Sequence, residues 1–254
     1  MAVGPGPLTS GEGADAMAMP GGGLVVLITG ATGPVGRAAA ARFAADGARL
    51  ALVGRDPGRL DAVVRELGLP EDRVLPVPAD LRDGEAARAV AATVDARFGR
   101  IDVLLHLVGG WTGGTAVVDL DPDEVRRMLD QHLWTTLHVV QAVVPGMVAR
   151  GSGRVLAVSS PFAASPGPRG ASYAIAKAGE EILLRSLARE TAGTGVTANL
   201  LVVRAVDAAH ERESAPSPRN AGWTTPEEVA EVLSFMASPA AAAVNGQRIG
   251  LDGR

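Results

Sequence analysis

The chain contains no cysteine, which excludes disulfides, thiolate nucleophiles and Cys-ligated zinc and accords with a reducing compartment such as the cytoplasm. Aromatic residues make up only 3% of the 254 residues, with one tyrosine, three tryptophans and four phenylalanines, against 47% hydrophobic residues in all. The core must therefore be packed from Ala, Val and Leu. Lysine is almost missing: Lys177 stands alone among 24 Lys and Arg side chains. A net charge of -4 and an isoelectric point near 5.6 give no general attraction to phosphate backbones or anionic membranes, so nucleic acid and membrane are not expected partners. No apolar run approaches the length of a membrane span. The four histidines, His106, His132, His138 and His210, are scattered, and the six-residue step from His132 to His138 does not share a helical face. No metal site is expected.

What is present is alternation. The apolar runs "LVVLIT" (24–29), "ARLALV" (48–53), "RVLPVP" (73–78), "IDVLLHLV" (101–108), "GRVLAVSS" (153–160), "VTANLLVV" (196–203) and "QRIGL" (247–251) show no clean polar alternation. Strands buried on both faces read this way. Between them lie segments of helical length at 33–46, 57–67, 83–98, about 121–149, 171–192 and 226–237. "DPDEV" at 121–125 and "TPEEV" at 225–229 carry helix-start signals, with a capping side chain followed by Pro and acids. The pattern predicts an α/β chain: one Rossmann-like, doubly wound domain with a seven-stranded parallel sheet and helices on both faces. The stretch from Arg204 to about Thr224, rich in Pro, Ser and charge, is expected to be irregular, either a lid or a disordered loop. Residues 1–22 lack the basic start and apolar centre of a secretion signal and read as a flexible leader, leaving 23–254 as the domain.

The first strand runs into "TGATGPVGR" (29–37), where Gly30, Gly33 and Gly36 separate a strand from a helix. Glycine allows the tight turn and lets backbone N–H groups approach a dinucleotide pyrophosphate at the helix N-terminus. About twenty residues on, the second strand ends at Gly54-Arg55 with no carboxylate to hold a ribose 2′-hydroxyl. The Arg55 guanidinium suits a 2′-phosphate, so NADP(H) is favoured over NAD(H), with Asp56 tempering that preference.

Tyr173 and Lys177 sit at i and i+4 in "SYAIAKAG" and share a helical face. A phenol with a reference pKa near 10 is a poor acid or base at neutral pH. A lysine one turn away stabilises the phenolate and, unlike arginine, also offers a compact donor to a ribose hydroxyl. Retaining the only lysine of an arginine-rich chain at this point indicates specific chemistry.

These motifs, with "PADLRD" (78–83), "GRVLAVSS" (153–160), "GVTAN" (195–199), "TPEEVAEVLSFMAS" (225–238) and "GQRIGLDG" (246–253) in order, resemble the short-chain dehydrogenase/reductase family from Leu24 onward. The resemblance implies a reductase of a ketone or aldehyde, or the reverse oxidation of a secondary alcohol, on a small, moderately apolar substrate. It implies Tyr173 as general acid, Lys177 on the nicotinamide ribose, and Ser160, thirteen residues before Tyr173, on the substrate oxygen. It further implies a cofactor surface made of Gly30, Thr32, Gly33, Val35, Gly36, Arg55, Asp80, Leu81, Val108 and Gly109 together with Tyr173 and Lys177, and a homodimer or homotetramer joined through the 121–149 and 171–192 helices.

Four positions depart from the family pattern. Pro34 replaces a usual glycine, His106-Leu107-Val108-Gly109 replaces Asn-Asn-Ala-Gly, Val203-Arg204 replaces Pro-Gly, and His132 stands at the tetrad asparagine. His132 is open to two readings, a proton relay titrating near neutrality or a side chain that fills the site. His106 reads as a structural strand-end residue, and Trp111 and Trp134 as pocket walls or packing. The departures keep two alternatives in view: a non-redox enzyme on the same scaffold (isomerase, dehydratase or cyclase) and a non-catalytic NADP(H)-binding protein.

Overall fold

The structure, a computed structural model, describes residues 23–251, so the expected leader at 1–22 lies outside the described residues. Seven strands form one parallel sheet in the order β3-β2-β1-β4-β5-β6-β7: β1 (Val25–Thr29), β2 (Arg49–Gly54), β3 (Val74–Pro78), β4 (Val103–His106), β5 (Gly153–Ser159), β6 (Val196–Val203) and β7 (Arg248–Leu251). The continuous apolar runs are explained by two covered faces. Val25 and Leu27 of β1 join a core with α3 (Gly84–Phe98), α5 (Thr135–Arg150) and α6 (Ala171–Glu190). Val26 and Ile28 point the other way, into a core with α1 (Pro34–Ala45), α2 (Pro57–Leu67) and α8 (Pro226–Ala237).

The helix starts follow local chemistry. Asp56 and Asp83 cap α2 and α3 by accepting from Arg59 N at 3.1 Å and Glu85 N at 2.9 Å, and Thr225 with Glu228 forms a full capping box on α8. The 121–149 crossover is divided. Asp121 caps α4 (Pro122–Leu129), a π turn occupies Asp130–Trp134, and α5 follows. The hydroxyls of Thr135 and Thr136 donate back to the carbonyls of Gln131 (2.7 Å) and His132 (2.6 Å), competition that bends and widens a helix.

The stretch expected to be irregular, 204–224, is largely tied down. It holds the short helix α7 (Glu211–Ser214) and a bridge between Val206 and Thr224. The buried Asp207 carboxylate accepts from the backbone of Glu211 and Arg212 at 2.8 and 2.9 Å. Arg212 in turn reaches Glu228 on α8 at 2.6 Å. Composition could not show this, because the anchoring depends on which side chains of the stretch meet each other and on Glu228 beyond it.

The register aligns the carboxyl ends of the central strands: Thr29 pairs with Val53 and His106, and His106 with Ala157. At β1 and β4 the strand order reverses direction, and open α/β sheets bind ligands in the crevice outside that switch.

Candidate active site

The crevice is a cleft of about 850 Å³. Its floor is the glycine turn, where the glycines divide the work. Gly30 has φ +68°, and a Cβ there would lie 2.4 Å from the Leu107 carbonyl oxygen; a Cβ on Gly36 would lie 2.3 Å from that of Gly30. Both permit backbone packing. A Cβ on Gly33 would meet only Gly30 O, at 3.4 Å, so Gly33 leaves space on the cleft side. No side chain caps α1 at this point, leaving first-turn N–H groups for a ligand.

The remaining residues expected at the cofactor, Thr32, Val35, Arg55, Asp80, Leu81, Val108 and Gly109, also line the cleft. Two basic neighbours not singled out from sequence join Arg55 at this end, Arg59 and Arg82. Arg59 Nη2 donates to Thr32 O at 3.1 Å. Arg82 grips Asp80 at 2.5 Å, and this hydrogen bond holds the Asp80 carboxyl below its usual range. A cleft of this volume, with an uncapped helix start at its floor and arginines at one end, fits a dinucleotide phosphate.

At the other end lie Ser160, Tyr173 and Lys177. Ser160 follows directly on β5, and its Oγ accepts from Phe162 N at 3.3 Å, which leaves its proton free to be donated. The Tyr173 ring is held edge-on between His132 (5.5 Å, 81°) and Phe162 (6.2 Å, 65°). Lys177 is buried, with Nζ donating to Val158 O at 2.8 Å and to Glu180 Oε2 at 2.5 Å. The sheet and α6 thus bring the serine, the phenol and the amine to one wall.

A family model described as short chain dehydrogenase matches residues 24–218. The chain belongs to the short-chain dehydrogenase family. Among its relatives, (2S)-[(R)-hydroxy(phenyl)methyl]succinyl-CoA dehydrogenase subunit BbsC of Thauera aromatica is 36% identical over 235 residues, covering 89% of this chain and 92% of the relative. The 3-oxoacyl-[acyl-carrier-protein] reductase FabG of Thermotoga maritima is 32% identical over 240 residues, covering 91% and 97%. A solved 3-ketoacyl-(acyl-carrier-protein) reductase of Brucella melitensis complexed with NADH superposes with a TM-score of 0.82 at 27% identity, over 91% of this chain and 98% of that one. This short-chain dehydrogenase is accordingly an NAD(P)-dependent oxidoreductase with a Rossmann-like sheet.

The family departures acquire physical reasons. His132 does not line the cleft; it is fully buried behind Tyr173. Its Nε2–H donates to Gly110 O at 3.0 Å, and Nδ1 has no protein partner among the described residues. Burial, reinforced by the Lys177 charge, lowers its pKa to about 3. An imidazole held there stays neutral and does not titrate near neutrality, so the site-filling reading fits the geometry and the titrating relay does not. His106, for which no partner was evident in sequence, has two: Thr29 Oγ1 at 2.9 Å and Thr135 Oγ1 at 3.3 Å. Trp111 lines the cleft, whereas Trp134 stacks on His138 outside it.

Sequence reasoning missed Arg59, Arg82, Gln131 and Glu180. Gln131 Nε2 donates to Gly109 O at 2.5 Å and sits where a Cβ on Gly110 would fall. Glu180 carried a signal, an acid three residues after the only lysine.

Proposed function

We propose that this enzyme reduces a ketone carbonyl with NADPH, or oxidises the corresponding secondary alcohol. The observation that carries the reading is the placement of Ser160, Tyr173 and Lys177 on one wall of the cleft whose floor is the glycine turn. The bound cofactor supplies or accepts the hydride. Ser160 donates to the substrate oxygen, Tyr173 gives that oxygen its proton, and Lys177, with two of its three N–H groups already directed to Val158 and Glu180, would have the third to offer a ribose hydroxyl of the bound cofactor. His132 braces Gly110 and the Tyr173 ring.

NADPH is the preferred cofactor. Arg55, Arg59 and Arg82 line the cleft beyond the ends of β2 and β3, Arg82 paired with Asp80, and the last residue of β2 is Gly54 and not a carboxylate. Two relatives are named for substrates carried on CoA or acyl-carrier protein, a [hydroxy(phenyl)methyl]succinyl-CoA dehydrogenase subunit and a 3-oxoacyl-[acyl-carrier-protein] reductase. A 3-oxoacyl thioester is therefore the substrate class to examine first, its chain lying along Trp111 and Phe162, with Arg127 and Arg204 also on the wall. Trp134, Ile175 and Ile182 are 44%, 49% and 62% exposed on or beside α5 and α6. Covering them supports a homodimer or homotetramer. A cytoplasmic location is consistent with the absence of cysteine and with no described helix being long and apolar enough to cross a membrane.

The test is NADPH oxidation with acetoacetyl thioesters by wild type and Tyr173→Phe. Loss of about 10²-fold or more in kcat is expected; near-wild-type turnover by the variant sinks the mechanism.

A further inference from the structure

One buried charge in this site has no part in the chemistry above. Glu180 lies three residues beyond Lys177 on α6, is 0% exposed, and takes an ion pair from Nζ at 2.5 Å. Its second oxygen lies 3.5 Å from Thr136 Oγ1, whose one proton is already given to His132 O at 2.6 Å. A buried carboxylate is costly and persists only when paired, whereas Lys177 already has Val158 O as a partner.

The pairing changes what the lysine presents to the tyrosine. A lone ammonium near a phenol favours the phenolate, and an anion close to that ammonium removes much of the effect. With Nζ an ammonium and Oε2 on an ionised carboxylate, the Lys177–Glu180 ion pair carries no net charge. Burial pushes the Glu180 carboxyl up, and the Lys177 ammonium opposes that push.

The neighbouring imidazoles supply no substitute cation. His106 on β4 and His132 in the π turn are both held at about 3 and are neutral. Glu181, the next residue on α6, is paired with Arg248 on β7 at 2.6 Å. Glu124 on α4 accepts from the Ser172 hydroxyl at 2.5 Å.

We propose that Glu180 is a positioning residue that anchors the Lys177 ammonium and cancels the charge it would show to Tyr173, keeping the tyrosine in the proton-bearing form that carbonyl reduction uses. The proposal rests on the roles given to Tyr173 and Lys177 above. In reduction the carbonyl carbon takes the hydride, its oxygen takes the tyrosine proton, and the phenolate recovers a proton from solvent. Oxidation must start from the phenolate. Glu180 leaves the overall equilibrium untouched and sets the pH at which each direction finds Tyr173 ready.

Tyr173 is the sole tyrosine, so near-ultraviolet phenolate absorbance reports on it alone, without substrate or cofactor. In Glu180→Gln the midpoint of that titration is expected to fall by roughly one pH unit relative to wild type. Glu180→Asp, with its charge drawn back by one methylene, is expected to move the same way by less, and decides the matter if the Gln variant does not fold. A midpoint at or above the wild-type value in the deciding variant overturns the proposal. Turnover of an acetoacetyl thioester by Tyr173→Phe separates the two levels. If that variant stays active, the parent mechanism fails; if it is inactive while the Glu180 variant titrates like wild type, only the Glu180 proposal fails.

Discussion

His106 and Thr135 join the sheet to the helical layer immediately beyond the π turn. Thr135 Oγ1 gives its own proton to Gln131 O at 2.7 Å, so it accepts from His106 Nε2–H at 3.3 Å, and the Thr29 hydroxyl donates to His106 Nδ1 at 2.9 Å. The partners thereby select the neutral Nε2–H tautomer. An imidazole standing in place of the family's asparagine bolts the carboxyl ends of β1 and β4 to the start of α5.

This arrangement predicts acid sensitivity. Burial holds His106 and His132 at about 3, against about 6.5 in an unfolded chain. Between those values the unfolded state binds more protons, so the contribution is complete above about pH 6.5 and is lost as pH falls toward 3, at roughly 1.4 kcal/mol per pH unit for each histidine. Glu180, whose carboxyl burial raises, acts with the opposite sign above its unfolded value. The prediction is therefore read as a difference: urea unfolding of His106→Asn should show a shallower loss of stability from pH 6.5 to 5 than wild type.

The glycine turn predicts two separable defects. Gly36→Ala forces a methyl to 2.3 Å from a carbonyl oxygen and should destabilise the fold by roughly 1–3 kcal/mol, visible as a lowered Tm. Gly33→Ala meets nothing closer than 3.4 Å and should keep the wild-type Tm while weakening NADPH binding in a fluorescence titration.

At the arginine cluster, Arg55→Ala should weaken NADPH by about 10-fold or more, the value of one or two charge-assisted hydrogen bonds, and leave NADH nearly unchanged. Paired titrations with the two cofactors measure this. An equal loss for both would mean that Arg55 does not meet the 2′-phosphate.

Ser160→Ala should lower kcat for acetoacetyl thioester reduction by about 10²-fold with little change in NADPH affinity, since the hydroxyl is assigned to the substrate oxygen and not to the cofactor. Steady-state kinetics beside a cofactor titration distinguish the two.

Local patterns made most of the fold legible. The strands β1 to β7 begin and end within two or three residues of the apolar runs, because strands buried on both sides leave continuous Val, Leu and Ile, and the caps at Asp121 and Thr225 act through neighbours two or three positions away. The π turn left no comparable trace. It depends on Thr135 and Thr136 choosing carbonyls one turn back over other partners. The 204–224 segment is mostly irregular, as expected, but its anchoring left no trace in sequence, since it depends on what buried Asp207 meets and on Glu228 of α8.

By itself the sequence determined the alternating architecture, the glycine turn and the unusual pairing of one tyrosine with one lysine, since all three depend on spacings within a few residues. Only the tertiary structure decided the company those residues keep. It set Arg59 and Arg82 beside Arg55, gave His106 its two hydroxyl partners, and withdrew His132 from the cleft. It also enclosed Lys177 with Glu180 away from water. The charge and protonation of such groups follow from burial and from neighbours distant in the chain, which become adjacent only when the sheet and α6 close over them.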